Sequence, residues 1–240
     1  MDRIPLTLLV LVAACSKPPP PTCEDTEEFA CFSGVFSSLL GARLEGVEVC
    51  TPELEDIPCT TSDADGGWQI PGLPRDTDVL VTATYADTIP TVFPQNSGMD
   101  WYAWYKVMVP QAIINTHANR LDVELNETRG HLLFLTWEGL NIDGDNTPNV
   151  PDVVATLQPG APLFYSNGLG LAASDLTATT GSGSGGALNL EPGTVTATFD
   201  GPGGPCTEPS FHYASEDGRI PVPIRAGFAT AIDVICPPAP

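Results

Sequence analysis

The sequence predicts an all-β protein made of two tandem antiparallel β-sandwich domains, and three observations carry that expectation. Twenty-five prolines and 23 glycines among 240 residues leave little room for long helices. The apolar residues fall in short runs, rich in β-branched side chains and bounded by Gly, Pro or Asp, which is the pattern of strands joined by tight turns. One unit also occurs twice. "TTSDADGGW" at 60–68 and "TTGSGSGGA" at 179–187 share Thr-Thr and Gly-Gly 119 residues apart, while "VTATY" at 81–85 and "VTATF" at 195–199 stand 114 apart. The five-residue difference falls in the loop between them, where insertions are tolerated.

The first unit covers residues 23–95, with strands expected at 34–40, 46–50, 67–70, 79–85 and 89–93. In the fourth of these, Val79, Val81, Ala83 and Tyr85 share one face and Leu80, Thr82 and Thr84 the other, the alternation of a half-buried antiparallel strand. The second unit, 129–240, offers strands at 131–137, 153–157, 163–165, 176–180, 195–199, 211–213, 220–225 and 228–235. The connecting segment 96–128 fits neither pattern. A short helix is expected there after Pro110, where Ala112, Ile113 and Ile114 precede polar residues and Leu121.

Inside the repeat, Asp63 and Asp65 stand on alternate residues before Gly66 and Gly67, as in many calcium loops. The second copy has Ser182 and Ser184 in those places, which are weak calcium ligands. What the copies share is turn chemistry: short polar side chains that bond their own backbone, then glycines free to take positive φ. The stretch is therefore read as a turn, and no metal site is assigned to it.

The order "LLGARLEGVEVC", "TTSDADGGWQIPGLP", "DVLVTATYAD" resembles the carboxypeptidase regulatory-like domain, a small transthyretin-like sandwich found in bacterial surface and secreted proteins. Gly46-Val47-Glu48-Val49, Gly67-Trp68, the Gly72-Leu73-Pro74 turn and the strand from Val79 fill that family's places, over about 60 residues. The second unit departs from it, with Leu190-Glu191-Pro192-Gly193 where Gly-Leu-Pro would stand, and reads as a divergent copy. The resemblance implies a non-catalytic module linked to folding, adhesion or binding, and it implies no particular ligand.

The chain opens "MDRIPLTLLVLVAACSKPPPPTC", with one arginine, an apolar run over 4–14 and small residues ahead of Cys15, so residues 1–14 read as a signal peptide. A run of about ten residues is too short to cross a bilayer, which takes roughly 20. Val12-Ala13-Ala14-Cys15 resembles the lipobox of bacterial lipoproteins. That resemblance implies diacylglycerol on the Cys15 thiol, palmitate-type acylation, and Cys15 as the mature N-terminus. Ser16 then looks like the non-aspartate residue that sends a lipoprotein to the cell outer membrane. Acyl chains contribute roughly 0.8 kcal/mol of membrane affinity per buried methylene, so several on one cysteine anchor a protein firmly. Residues 15–22, with prolines at 18–21, read as a disordered, lipidated tether, extended at roughly 3.1 Å per residue where it is polyproline II. The expected place is the bacterial cell envelope, on the periplasmic or surface face of the outer membrane.

Nine basic against 30 acidic side chains, a formal charge of −21, argue against nucleic acid as a partner, because duplex binding relies on Lys and Arg neutralising phosphates. With Cys15 acylated, six cysteines remain, and beyond the cytoplasm thiols are oxidised. Cys206 and Cys236 lie far from the rest and should pair. Among the early four, Cys50 with Cys59 across a hairpin and Cys23 with Cys31 are favoured, and crossed pairings stay open. No Cys-x-x-Cys occurs and the three histidines are scattered, so zinc fits poorly.

The aromatic residues Trp101, Tyr102, Trp104 and Tyr105 are the candidate ligand-binding group, since flat rings on an exposed edge stack on sugar faces. They lie beside the junction of two small domains, and packing there is the competing role. Asn141, Asp143, Asp145 and Asp152 occupy positions 1, 3, 5 and 12 of a calcium loop, but Asn146 replaces the sixth-position glycine and Pro148 and Pro151 forbid a following helix. A loop of Asx turns fits better. For catalysis there is no Gly-x-Ser-x-Gly, because Thr180 and Ser182 stand two residues before Ser182 and Ser184. His-Glu-x-x-His and a phosphate loop are missing as well.

These readings converge on a non-catalytic cell-envelope lipoprotein with a binding or structural role and no cofactor. Its expected partners are the membrane, through the N-terminal lipid, and a glycan or a surface protein. A carbohydrate-binding or adhesive module using residues 101–105 is the alternative. A secreted hydrolase, which would need a converging carboxylate pair, is the third.

Overall fold

The computed structural model describes residues 26–98, 104–139, 148–208, 213 and 217–239. The first half carries strands β1 (Phe29–Ser37), β2 (Glu48–Cys50), β3 (Thr60–Thr61), β4 (Gly67–Pro74), β5 (Asp78–Thr84), β6 (Thr91–Asn96) and β7 (Trp104–Val107), then helix α1 (Gln111–Arg120). The second half carries β8 (Gly130–Trp137), β9 (Val154–Gln158), β10 (Phe164–Ser166), β11 (Ala172–Ala173), β12 (Ser184–Leu190) and β13 (Gly193–Gly201). It closes with β14 (Gly204–Pro205), β15 (Ile220–Ile224) and β16 (Ala229–Ile235). The chain is nearly all β, as its turn-rich composition predicts.

The strands form three sheets: β4-β1-β7, a nine-stranded sheet β11-β10-β12-β8-β16-β6-β5-β2-β3, and a group in which β13 pairs with β9, β14 and β15. The first core, with Phe32, Phe36, Trp68, Ile70, Val81 and Phe93, lies between the three-stranded sheet and the β5–β6 end of the long one. The second, with Phe134, Leu157, Val195, Phe199, Val222 and Ile232, lies between the other half of the long sheet and the β13 group. Phe134 meets Phe199 edge to face with centroids 5.0 Å apart, and Phe36 stacks on Trp68 at 5.6 Å.

The sequence repeat is a repeat of topology. Ala83 in β5 pairs with Val49 on one side and Thr91 on the other; Ala197, 114 residues later in β13, pairs with Leu157 and Ile220. Gly67 in β4 pairs with Val35, and Gly186, 119 residues later in β12, pairs with Leu133. The opening strand of each unit also pairs in parallel with its last, β1 with β7 and β8 with β16. Each copy is thus one sandwich with one strand order, antiparallel apart from that closing strand.

The two copies are joined by a third parallel pairing, between β6 and β16. Thr91 stands opposite Ala229 and Val92 opposite Thr230, and the Ala229 N–H donates to the Pro90 carbonyl at 2.9 Å. Side chains alternate across a strand, so β16 serves both cores: Ala231 packs on the first, Ile232 and Val234 in the second. The sandwiches accordingly lie on opposite faces of one continuous sheet. Helix α1 follows Pro110 as expected and buries Ile114, His117 and Ala118, with Ile114, Ile89 and Ala229 forming a small core at the seam. Segment 96–128 is therefore more than a connection, since β7 closes the first sandwich and α1 covers the joint.

Local chemistry explains where strand boundaries differ from expectation. Residues 38–42 form a turn rather than the end of a strand, because Ser38 Oγ accepts the N–H groups of Leu40 and Ala42 at 3.3 and 3.2 Å. Residues 176–180 make no strand; the Thr179 hydroxyl accepts the Val153 N–H at 2.9 Å and donates to the Val150 carbonyl at 2.9 Å. The Gly72-Leu73-Pro74 segment, expected as a turn, belongs to β4, whose pairing with β1 shifts register between Ala30 and Phe32. Of the strand expected at 211–213, only Tyr213 lies within the described residues, and it is not in a strand.

The turn reading of the repeat holds at 62–66. Asp63 Oδ1 accepts the N–H groups of Asp65 at 3.0 Å and Gly67 at 2.7 Å, and Gly66 sits at φ 76°. In the second copy the positive φ moves to Gly183, while Gly185 and Gly186 lie inside β12. A Cβ on Gly186 would strike the Leu132 carbonyl, and one on Gly185 the Phe134 ring. Gly66 thus combines a positive φ with a close approach, since a Cβ there would strike the Phe36 carbonyl, whereas Gly185 and Gly186 are held by close packing alone.

Two buried histidines tie the second sandwich to its surroundings. His117 Nδ1 accepts the Ala172 N–H at 3.1 Å and His131 Nδ1 the Asn189 N–H at 3.2 Å, roles open only to the neutral ring. Burial holds both below the usual histidine value of 6.5, with the Arg120 charge adding to the effect at His117. A depressed histidine contributes stability that is fully present above its unfolded value and is lost as pH falls through the folded one. The melting temperature should therefore drop as pH is lowered from 7 toward 5, before ordinary carboxylates titrate. A His117→Asn, His131→Asn variant followed by thermal denaturation should lose that dependence.

Candidate functional site

The described part of the aromatic segment picked out by sequence, Trp104 and Tyr105, lies at a sheet edge. Trp101 and Tyr102 fall outside the described residues, as do Cys15, Cys23, Asp143 and Asp145. Trp104 opens β7, and Tyr105 follows it with 49 % of its surface exposed. Among the described residues β7 has β1 as its single neighbour, with Val35 opposite Tyr105 and Ser37 opposite Val107. The Met108 N–H donates to the Ser37 carbonyl at 2.9 Å, so residues 104, 106 and 108 turn their backbone groups toward β1. Alternation then points the N–H and C=O of Tyr105 and Val107 away from it, along the open edge.

Side chains around this edge are apolar on the outside and ionic on the inside. Tyr105 and Val107 on β7 are exposed, while the exposed Leu39 and Leu40 lie on the turn past Ser37, which folds to the side of β1 away from β7. Arg43, which bridges Ser37, places its guanidinium 5.0 Å from the Tyr105 ring centroid. That cation occupies one face of the half-exposed ring. Lys106 turns inward, pairs with Asp233 of β16 and lies 5.7 Å from the Phe93 ring. Asp233 also accepts the Trp137 indole N–H at 3.0 Å. The inner side of the site is thereby locked to the joint between the two copies.

A cleft of about 460 Å³ lies at the other side of the joint, lined by Pro52, Glu53, Leu80, Val92, Thr194 and Arg225 among others. It is shaped by the step between the outer face of β5–β6 and the ends of β13 and β15. The disulfides brace the same framework. Cys50 pairs with Cys59 and Cys206 with Cys236, as expected. Cys31 is disulfide-bonded too, and its expected partner Cys23 lies outside the described residues.

Sequence reasoning found the aromatic segment but missed Arg43 and the Lys106–Asp233 pair. The faint signal for the last was the rarity of lysine, since Lys106 is one of two in the chain.

No protein-family model matches the chain, and no curated protein matches it. Among solved structures, the Bacillus anthracis TIE protein is 13 % identical over 87 % of this chain and 34 % of its own, with a TM-score of 0.27. A Streptococcal ancillary pilin is 11 % identical over 90 % of this chain and 64 % of its own, TM-score 0.26. The major pilin subunit of Bacillus cereus is 11 % identical over 88 % and 60 %, TM-score 0.25. The chain spans about a third of the first and less than two thirds of the other two.

Proposed function

We propose that this chain is a non-catalytic cell-envelope lipoprotein whose paired sandwiches form a rigid spacer that presents the β7 edge for binding. The observation that supports this most directly is the continuous nine-stranded sheet, which makes two small modules into one stiff body with an apolar, one-sided strand edge. Disulfides at Cys50–Cys59 and Cys206–Cys236 suit an oxidising compartment beyond the cytoplasm. The lipobox-like Val12-Ala13-Ala14-Cys15 and the proline-rich residues after it supply the anchor and the tether of this reading. The membrane is then the first partner and a surface protein or glycan the second, with nucleic acid disfavoured by the charge of −21.

The anchor is tested by replacing Cys15 with serine, labelling cells with palmitate and fractionating them. The unaltered chain should carry label and sediment with membranes, and Cys15→Ser should lose both properties. A variant that stays membrane-bound would remove lipid at Cys15 from this reading. A carbohydrate role is favoured by the half-exposed Tyr105 ring. A glycan array read with the unaltered chain and Tyr105→Ala should show signals that vanish in the variant if sugars stack there.

A further inference from the structure

In the middle of the molecule two strand edges meet, β6 of the first copy and β16 of the second, paired in parallel. The repeat makes β7 the counterpart of β16 and β15 the counterpart of β6; among the described residues neither has a second strand neighbour, and on β15 the Pro223 carbonyl accepts the Thr230 hydroxyl. These two edges differ chemically. Phe93 and Val222 are equivalent, opposite Val81 and Val195, which sets Val92 against Pro221, Pro94 against Pro223 and Pro90 against Arg219.

In the joint, the Pro90 carbonyl faces β16, and by alternation Val92 supplies the one N–H that β6 directs there, between two prolines. β15 has Pro221 in that place. Its outward edge therefore lacks donors at both 221 and 223, which closes it to an added strand. The β7 edge has none of these protections. No proline interrupts it, its lysine turns inward to Asp233, and its outward backbone groups are those of Tyr105 and Val107, whose side chains are exposed.

We propose that the open edge of β7 docks an extended, proline-free, β-branched strand of a basic partner protein, in parallel register, as β6 docks on β16. Parallel register and β-branched character follow from the occupied counterpart, where Thr91 and Val92 stand opposite Ala229 and Thr230. The basic partner follows from charge, since a chain at −21 attracts cationic segments and repels its own kind. A second copy is disfavoured further because its matching strand, β15, has no N–H at the docking position. The inference deepens the binding role proposed above and is independent of lipid at Cys15.

The test is fluorescence anisotropy of the exported chain with a labelled peptide of alternating threonine and valine flanked by lysines. Saturable binding is expected, with affinity falling on the order of tenfold in Tyr105→Pro, which deletes one outward N–H and spares the ladder to β1. Val107→Lys should weaken binding similarly without touching any N–H, which covers the case in which the proline variant misfolds. Binding that survives both substitutions, or no binding at all, overturns the inference. A concentration-dependent rise in the mass of the chain that both substitutions abolish would show a second copy on the edge and overturn the choice of occupant. A chain that sediments with membranes yet ignores the peptide refutes this inference alone. One that binds the peptide but sediments with membranes unchanged in Cys15→Ser refutes only the anchor.

Discussion

Replacing Cys206 and Cys236 together with serine should destabilise the chain by about 3.6 kcal/mol, the chain-entropy value for reopening a loop of about 30 residues. The two cysteines are 30 residues apart, and both side chains are fully buried in the second core. Their bond fastens the end of β16, which stands between β6 and β8 and belongs to both sandwiches. Loss of the bond should therefore loosen the joint as well as the second unit. Hydrogen exchange should show protection falling at 229–235 and at 91–92 together. The Cys50–Cys59 pair closes a shorter loop, at about 2.7 kcal/mol on the same basis, and touches only the first unit. An equal effect from the two disulfides in urea denaturation would contradict the central place given to β16.

The second large effect is expected at Asp233. Its side chain is mostly buried, paired with Lys106 from the facing sheet and hydrogen-bonded by Trp137. Asp233→Ala should cost about 3 kcal/mol, near the low end for breaking such a pair because the carboxylate keeps some contact with water. Most of that is the penalty of leaving a cation in the joint without this carboxylate. Lys106→Met with Asp233→Leu should recover much of the loss, since the apolar pair needs no desolvation. Equilibrium unfolding of the single and double variants gives the comparison. A single variant as stable as the unaltered chain would mean that the pair is solvated and does not hold the units together.

Much of the architecture was legible in short stretches of sequence. "VTATY" and "VTATF" announce equivalent strands, and β5 and β13 are central in their sheets with Ala83 and Ala197 in matching pairs. Asp63 and the glycines after it announce a turn because a carboxylate that bonds N–H groups two and four residues on needs nothing from the rest of the fold. The helix after Pro110 and the pairing of Cys206 with Cys236 were legible for similar reasons of local pattern and isolation. The end of β1 was not, nor was β12 at all, since no strand was expected over Ser184–Leu190. Serine and threonine hydroxyls compete with the ladder at 38–42 and 176–180, locally at Ser38 and through Val153, 26 residues away, at Thr179. At the candidate site, sequence singled out the aromatic run. Beyond the rarity of lysine it carried no sign that Lys106, next to that run, turns inward, since a lysine beside tyrosine reads as solvated until Asp233 is brought from 127 residues away.

By itself the sequence determined that the chain is β, that it holds two copies of one unit, where its main turns lie and which distant cysteines meet. All of these rest on local periodicity, local hydrogen bonding or the repetition of words. Tertiary structure alone decided that the copies share a sheet, that β16 serves both cores, and that β7 has, among the described residues, a neighbour on one edge only. Strand alternation says which side chains share a face, but not which strand lies next. That choice is made by backbone donors and acceptors finding each other across the fold, and by the prolines that keep some of them from doing so.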